Sequence, residues 1–324
     1  MKAMLAAALV ALIASISPVW GYSEYPEKPV RIIVGTSPGD PNDILARVIA
    51  APLSKFFKQP FIVDNHAGAS GNLAAARVAK AANDGYTLLL VAAPFATSIS
   101  IYPKLGYDPR ASFVPVARFA SYREVLIVNS DRGVKTLAEF IQLMRASPGH
   151  ITIASSGTGT TSHLTAELLK LRAGWLSALH VPYRGNGMAL AGLLGSHVDA
   201  LVATVSSVRP HVATGRLKAL AVTNAERANL LPEVPTFAEL GYPGVEGSAW
   251  TGIVAPAGTP YEAVVRLNLA IAEVTRARTT RSRFMGQGAD AMSETPEAFA
   301  KHLDAEVEKW AKVVKAAGVG VDYP

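Results

Sequence analysis

Short β-branched runs alternate with amphipathic stretches along almost the whole chain, and this alternation limits the fold more than any other feature. Residues 30–35, 61–64 and 86–91 read as buried strands, while 43–57 and 73–81 between them carry the 3.6-residue helical period. The pattern resumes with strands at 125–129, 151–155, 178–182, 200–204 and 219–223, and helices at 137–146, 161–173 and 187–194. A chain that returns repeatedly from helix to strand builds mostly parallel sheets with helices on their faces. Pro52 inside the first helical stretch is expected to kink it.

The length, 324 residues, suits two α/β units rather than one, and with half of the residues apolar each can bury a core. Thr136 with Glu139, Thr236 with Glu239, and Thr259 with Glu262 have capping-box spacing, the last with Pro260 at the first helical position. Thr295 opens a final helix, 297–317, with Phe299, Leu303, Val307, Trp310 and Val314 on one stripe. The C-terminal helices need a sheet to cover, and 252–255 can return the chain to the first unit. The reading is therefore a discontinuous domain one (22–124 and 251–324), an inserted domain two (125–250), and a cleft between them.

The first 21 residues read differently. Lys2 precedes an apolar run over 4–16, too short for a membrane span, which needs about 20 residues. Ser17 and Pro18 break the run, and cleavage is expected near Gly21. This is an export signal, placing the mature protein in the periplasm.

Several function classes recede on composition. There are no cysteines, hence no disulfides, thiolate chemistry or Cys-ligated metals. The seven histidines show no metal-ligand spacing. The net charge of +6 is scattered, and Arg276, Arg278, Arg281 and Arg283 form a solvated helix face without interleaved aromatics, unlike a nucleic-acid stripe. No P-loop is present, and Gly157-Thr158-Gly159 lacks the third glycine of a dinucleotide fingerprint. Ser162, His163, His180 and Asp199 can be written as a triad, but no serine sits in a nucleophile elbow. No catalytic residue, metal or cofactor is expected.

Three strand-to-helix turns carry the functional signal: residues 37–43 (Ser37, Pro38, Gly39, Asp40, Pro41, Asn42, Asp43), 155–163 and 183–187. In a parallel sheet such turns lie at the carboxyl ends of the strands, where ligands bind. A helix start offers unpaired N–H groups and a positive dipole end, and glycine lets an anion approach. An ordinary N-cap explains each turn alone; turns of this kind in separate lobes suggest a clamp for a carboxylate. His163 reads as a cap or pocket wall.

The same stretches resemble the Bug-type periplasmic solute-binding proteins of the tripartite tricarboxylate transporter family. The resemblance covers essentially all of the mature chain. It rests on Tyr25-Pro26-Glu27-Lys28-Pro29-Val30, Gly68-Ala69-Ser70-Gly71-Asn72, Asp84-Gly85-Tyr86-Thr87-Leu88, Ser155-Ser156-Gly157-Thr158-Gly159-Thr160, His180-Val181-Pro182-Tyr183-Arg184-Gly185, Leu231-Pro232-Glu233-Val234-Pro235-Thr236 and Ala255-Pro256-Ala257-Gly258-Thr259-Pro260, in that order. It implies a two-lobed, Venus-flytrap fold of the type II periplasmic-binding kind. It also implies a small carboxylate ligand (an amino acid or a neutral molecule if Asp40 faces it), held by Ser37, Gly39, Asp40, Asn42 and Asp43 of the first turn and by Ser156, Gly157, Thr158, Gly159, Thr160 and His163. Tyr183, Arg184, Gly185, Thr204 and Ser206 then line the second wall, and Ala93 lies in a 92–97 loop of domain one. A monomer would hand its ligand to a two-component membrane permease; presentation to a membrane sensor and a periplasmic hydrolase are the other readings.

One departure matters. The family usually has a second glycine after Gly39, and here Asp40 replaces it; the usual Ser or Thr before Asp43 gives way to Pro41-Asn42, with Asn42 as a suitable N-cap. A carboxylate beside an anion cradle repels an anionic ligand by about 1 kcal/mol or more. Asp40 either points to solvent or meets a positive group on the ligand. Intact-mass measurement of the exported protein is expected to give a chain that starts at about Tyr22.

Overall fold

A computed structural model describes residues 25–102 and 104–320. The leader and its cleavage point lie outside the described residues. Two sheets form the two lobes. In the first, β1 (Val30–Val34), β2 (Phe61–Asn65), β3 (Thr87–Ala92), β4 (Phe113–Tyr122), β10 (Ala249–Pro256) and β11 (Ala289–Ala291) take the order β11-β4-β10-β3-β1-β2. In the second, β5 (Glu124–Asn129), β6 (Thr152–Ser155), β7 (Leu179–Pro182), β8 (Ala200–Thr204) and β9 (Leu217–Val222) take the order β7-β6-β8-β5-β9.

The β1–β2 and β1–β3 ladders are parallel, as are β6–β7 and β6–β8. Each sheet also receives one strand inserted against the grain: β10 runs antiparallel between β3 and β4, and β5 antiparallel between β8 and β9. These are the strands on which the chain has just crossed between lobes. Arg123 alone separates β4 from β5, and the return runs through residues 223–248.

The helices cover both faces of both sheets. In lobe one, α1 (Pro41–Phe57) and α8 (Tyr261–Arg276) enclose one core with Val30, Ile32, Leu45, Ile49 and Leu267. The opposite face is covered by α2 (Asn72–Val78), α3 (Ala93–Ile101) and the first half of α10 (Pro296–Ala317). In lobe two, α4 (Leu137–Ala146) and α5 (Thr161–Arg172) cover one face, and α6 (Asn186–Leu194) with α7 (Val205–Ala213) the other. A further helix, α9 (Arg278–Gly286), is separated from α8 by extended backbone at Ala277 and anchored by buried Phe284. Arg276, Arg278, Arg281 and Arg283 are all exposed.

Local chemistry explains most element ends. Thr136 and Glu139 exchange both capping-box bonds at the start of α4, and Thr295 caps α10. Thr236 and Glu239 make the same reciprocal pair, but it closes only a turn. Thr259 does not cap α8; its hydroxyl donates back to the Pro256 carbonyl, and Pro260 takes the cap position. Helix α1 begins at Pro41, with Asp40 rather than Asn42 as N-cap, and continues through Pro52.

Four elements depart from the sequence reading, among them α7 (Val205–Ala213) and β11 (Ala289–Ala291), which it did not contain. The stretch expected as a loop at 92–97 is helix α3, whose Phe95 stacks on Tyr107 and meets Phe113 edge-on. Strand β4 was obscured by Pro115, which is accommodated beside an irregularity in the β4–β10 register.

Helix α10 ties the lobes together. Phe299, Leu303 and Val307 pack in the core of lobe one, whereas Trp310, Val313 and Val314 pack in that of lobe two. At the changeover Glu306 accepts from the Trp310 indole N–H at 2.8 Å and from Trp250 at 3.4 Å, while Lys309 lies 2.7 Å from its other oxygen. Burial opposes ionisation of Glu306, but Lys309 and the indole donors hold its carboxyl below the usual carboxylate range. Trp310→Ala is expected to remove about 3–5 kcal/mol by opening a cavity. Trp310→Phe, which keeps ring bulk and loses the N–H, is expected to cost roughly 1–3 kcal/mol; equilibrium urea unfolding checks both.

Candidate functional site

A cavity of about 870 Å³ lies between the lobes. Strand–helix order decides what faces it. The starts of α1 (Asp40, Pro41, Asn42), α2 (Gly71, Asn72) and α3 (Ala92, Ala93, Pro94) line it from lobe one, and those of α5 (Thr160, Thr161), α6 (Gly185, Asn186, Gly187) and α7 (Thr204, Ser206, Ser207) from lobe two. Helix starts carry partial positive charge and amides without an intrahelical partner. Three from each lobe thus face one space.

The expected site residues divide. Asp40, Asn42, Ala93, Ser156, Thr160, Arg184, Gly185, Thr204 and Ser206 line the cavity, whereas Ser37, Gly39, Asp43, Gly157, Thr158, Gly159, His163 and Tyr183 do not. Hydrogen bonding gives the reason for many of these. Asp43 is buried and faces into the protein: it accepts from Gly39 N at 2.9 Å, from Arg47 and from Asn65. Burial acts against its charge, but these donors hold it below the usual carboxylate range.

The 155–160 turn is largely closed on itself. Ser156 N donates to Ser162 Oγ, Gly157 N to Ser155 Oγ and Gly159 N to His163 Nδ1. The expected backbone cradle is therefore mostly spent; the Ser156 and Thr160 hydroxyls are also engaged within the turn, while Thr161 Oγ1 has no partner among the described residues. Gly159 has a separate task. Its φ is +77°, a Cβ there would come within 2.6 Å of Ile101, and its carbonyl accepts from Thr97 across the lobes. His163 and His180 stack at 3.6 Å behind the turn, and Ser155 Oγ lies 2.6 Å from His180 Nε2. Burial, with His180 and Lys170 nearby, pushes His163 down to about 3, and burial with Lys170 pushes His180 to about 4. Ser162 contacts Ser156 and Thr160, and His163 is occupied by Gly159, so the paper triad has no nucleophile–base pair.

Asp40 is half-buried and lines the cavity. Its carboxylate accepts from Asn42 N at 2.9 Å, capping its own helix, while Asn42 Oδ1 accepts from Thr251. The protein thus supplies an internal anion at the start of α1. Arg184 lies exposed at the edge of the cavity.

The sequence reading missed the floor. Tyr122 and Glu124 flank the lobe crossing, lie two residues apart on the chain and both line the cavity. Among the described residues, four buried polar atoms on cavity-lining residues lack a hydrogen-bond partner: Thr36 Oγ1, Asn72 Nδ2, Glu124 Oε2 and Thr161 Oγ1. Unsatisfied buried groups are rare in native proteins and each costs about 1–3 kcal/mol. The available signal was a lone glutamate opening an otherwise apolar strand, 124–129. Burial pushes Glu124 up to about 8 and Tyr122 to about 12, partly offset by the Thr251 hydroxyl and reinforced by Asp40.

The native state therefore holds a proton on Glu124 that the unfolded chain releases near its ordinary value of 4.5. Between those two values the unfolded state binds fewer protons, so stability falls as pH rises through this window. Relative to Glu124→Gln, the wild type is expected to lose melting temperature from about pH 5 to about pH 8 and to level off above; thermal melts across that range check it.

Comparison with known proteins agrees with this geometry. Residues 45–319 match the model of the tripartite tricarboxylate transporter family receptor. The chain is 37% identical over 297 residues to Protein BugT of Bordetella pertussis, covering 91% of this chain and 90% of that one. An R. palustris protein solved with adipate superposes with a TM-score of 0.80 at 34% identity, covering 92% of this chain and 100% of its own. MatC from Rhodopseudomonas palustris with bound malate gives 0.77 at 32%, covering 90% and 100%. The chain belongs to the tripartite tricarboxylate transporter receptor family, as a Bug-type solute-binding protein rather than an enzyme.

Proposed function

We propose that this protein captures a small carboxylate in the periplasm, in the cleft between its lobes, and delivers it as a monomer to a two-component membrane permease. The observation that carries the reading is the convergence of six helix starts, those of α1, α2, α3, α5, α6 and α7, on a cavity edged with unpaired polar atoms. Helix starts favour anions without needing a buried lysine or arginine. The unpaired donors gain their missing bonds when an acid enters, which makes ligand recognition polar and specific. The volume, about 870 Å³, lies within the usual range for small-molecule sites. Relatives solved with adipate and malate support an acid as the ligand class.

Capture follows from lobe closure. With the lobes taken as 22–124 plus 251–324 and 125–250, a ligand touching both walls binds the closed form more tightly and shifts the equilibrium towards it. Export by cleavage near Gly21 places the protein where a permease can take up the loaded form.

A thermal-shift screen of dicarboxylates, aromatic acids, amino acids and nicotinamide tests the reading. An acid at 100 times its Kd is expected to add about 2.7 kcal/mol of stability. Thr161→Val, which removes a cavity-facing hydroxyl, is expected to weaken that acid roughly tenfold. Melting curves unmoved by every acid in the panel would overturn the proposal.

A further inference from the structure

Glu124 is an acidic group on the cavity floor whose Oε2 no described residue engages. It is 5% exposed and opens β5 opposite Thr204. Its backbone is fixed from both sides: its N–H donates to Asn224 Oδ1, and its carbonyl accepts from Thr223 N and Oγ1. Its backbone is thus held at the lobe crossing, and Tyr122, two residues away on the chain, lines the same cavity.

The surroundings choose its protonation state. Besides Glu124, the charged and titratable groups lining the same space are Asp40, Tyr107, Tyr122 and Arg184, and the Tyr107 hydroxyl is already bonded to Asn72 Oδ1. Asp40 is a second acid, already bonded to Asn42 N, and Arg184 is exposed. Arg123, the neighbour on the strand, turns away to Asp290 and the Arg227 carbonyl. The adjoining residues on β8, β10 and the end of α9 (Thr204, Ala249, Trp250, Gln287) carry no charge. A buried carboxylate with no cation and no donor is costly, whereas the neutral acid is an O–H donor in need of an acceptor.

We propose that Glu124 enters the complex as the neutral acid and donates a hydrogen bond to a carboxylate oxygen of the captured ligand, so that capture is proton-linked. The proposal rests on the carboxylate reading above and deepens it. No proton is transferred: the O–H stays on Glu124, and the ligand oxygen supplies the acceptor that the protein lacks. The helix starts around the cavity favour the anionic partner, and the proton on Glu124 removes the repulsion that a second carboxylate would otherwise exert. A cationic ligand would instead draw the proton off Glu124 and bind better as pH rises; the two acids on one side leave that as the opposite outcome of the same test.

The experiment is isothermal titration of the mature protein with malate and with adipate as probes, from pH 6 to pH 9.5. For the wild type, Kd is expected to stay level at the acid end and then to rise about tenfold per pH unit once Glu124 ionises. Glu124→Gln keeps an N–H donor at the same place without a titrating proton, and is expected to bind within about threefold of the wild type at pH 6.5 with no alkaline loss. Glu124→Leu, which has no donor, is expected to bind at least about tenfold more weakly at every pH. A wild-type Kd that is flat or falls with rising pH overturns the proposal while leaving capture intact, as does an alkaline loss that persists in Glu124→Gln. Failure of both probes at pH 6 together with melting curves unmoved by every acid in the panel overturns the capture reading and this proposal with it; any acid that does shift the melt takes the place of the probes in the same titration. The wild-type profile decides the matter even if a variant does not fold.

Discussion

Parallel pairing fixes where the polarity of this molecule goes. A helix that connects two parallel strands starts at the carboxyl edge of the sheet, so every such connection delivers its unpaired amides and its positive dipole end to the same side. Each lobe makes three of these starts, and the carboxyl edges of both sheets face the interlobe cavity. Small residues at the turns follow from that placement: Gly71, Gly185, Ser156, Thr160 and Thr161 let a ligand approach backbone and hydroxyls. Helix starts rather than basic side chains thus supply the cleft's positive potential, with a single exposed arginine on its rim.

The two inserted strands, β5 and β10, and helix α10 hold the lobes in register. The strands carry the chain across; α10 buries its first half in one core and its second half in the other. A helix anchored by Phe299 in one lobe and Trp310 in the other resists sliding, because both rings are fully buried. At the crossing Arg123 bridges Asp290 of one lobe and the Arg227 carbonyl of the other. Tyr122 and Glu124 sit immediately beside Arg123 in the chain, so the short segment that joins the lobes also forms the cavity floor.

The site was legible where turn chemistry alone decides it. Asn42, Ser156, Thr160, Gly185 and Thr204 fall at the cavity because each ends a strand or opens a helix, and that position is readable from the pattern. Asp43, Gly159 and His163 fall away from it because their polar atoms are spent on neighbours: Gly39 and Arg47, Thr97 and His163 itself, and Gly159. Which donor is already used depends on side-chain geometry over a few ångströms. Residue spacing does not carry that information. Asp40 is a clear case, since the spacing names it only as a turn residue, whereas a helix that starts at Pro41 makes it a cap as well as a cavity-lining acid.

By itself the sequence determined the α/β class, the two units and the polar turns that join strand to helix. Hydrophobic period and cap chemistry are local, and local interactions settle them. Only the tertiary structure decided that the long apolar stripe of α10 is shared between two cores, that Pro115 belongs to a strand, and that Glu124 and Tyr122 form the floor of the cleft. Those outcomes depend on which residues from distant parts of the chain meet. A buried acid without a partner exists only once the lobes that exclude water from it have come together.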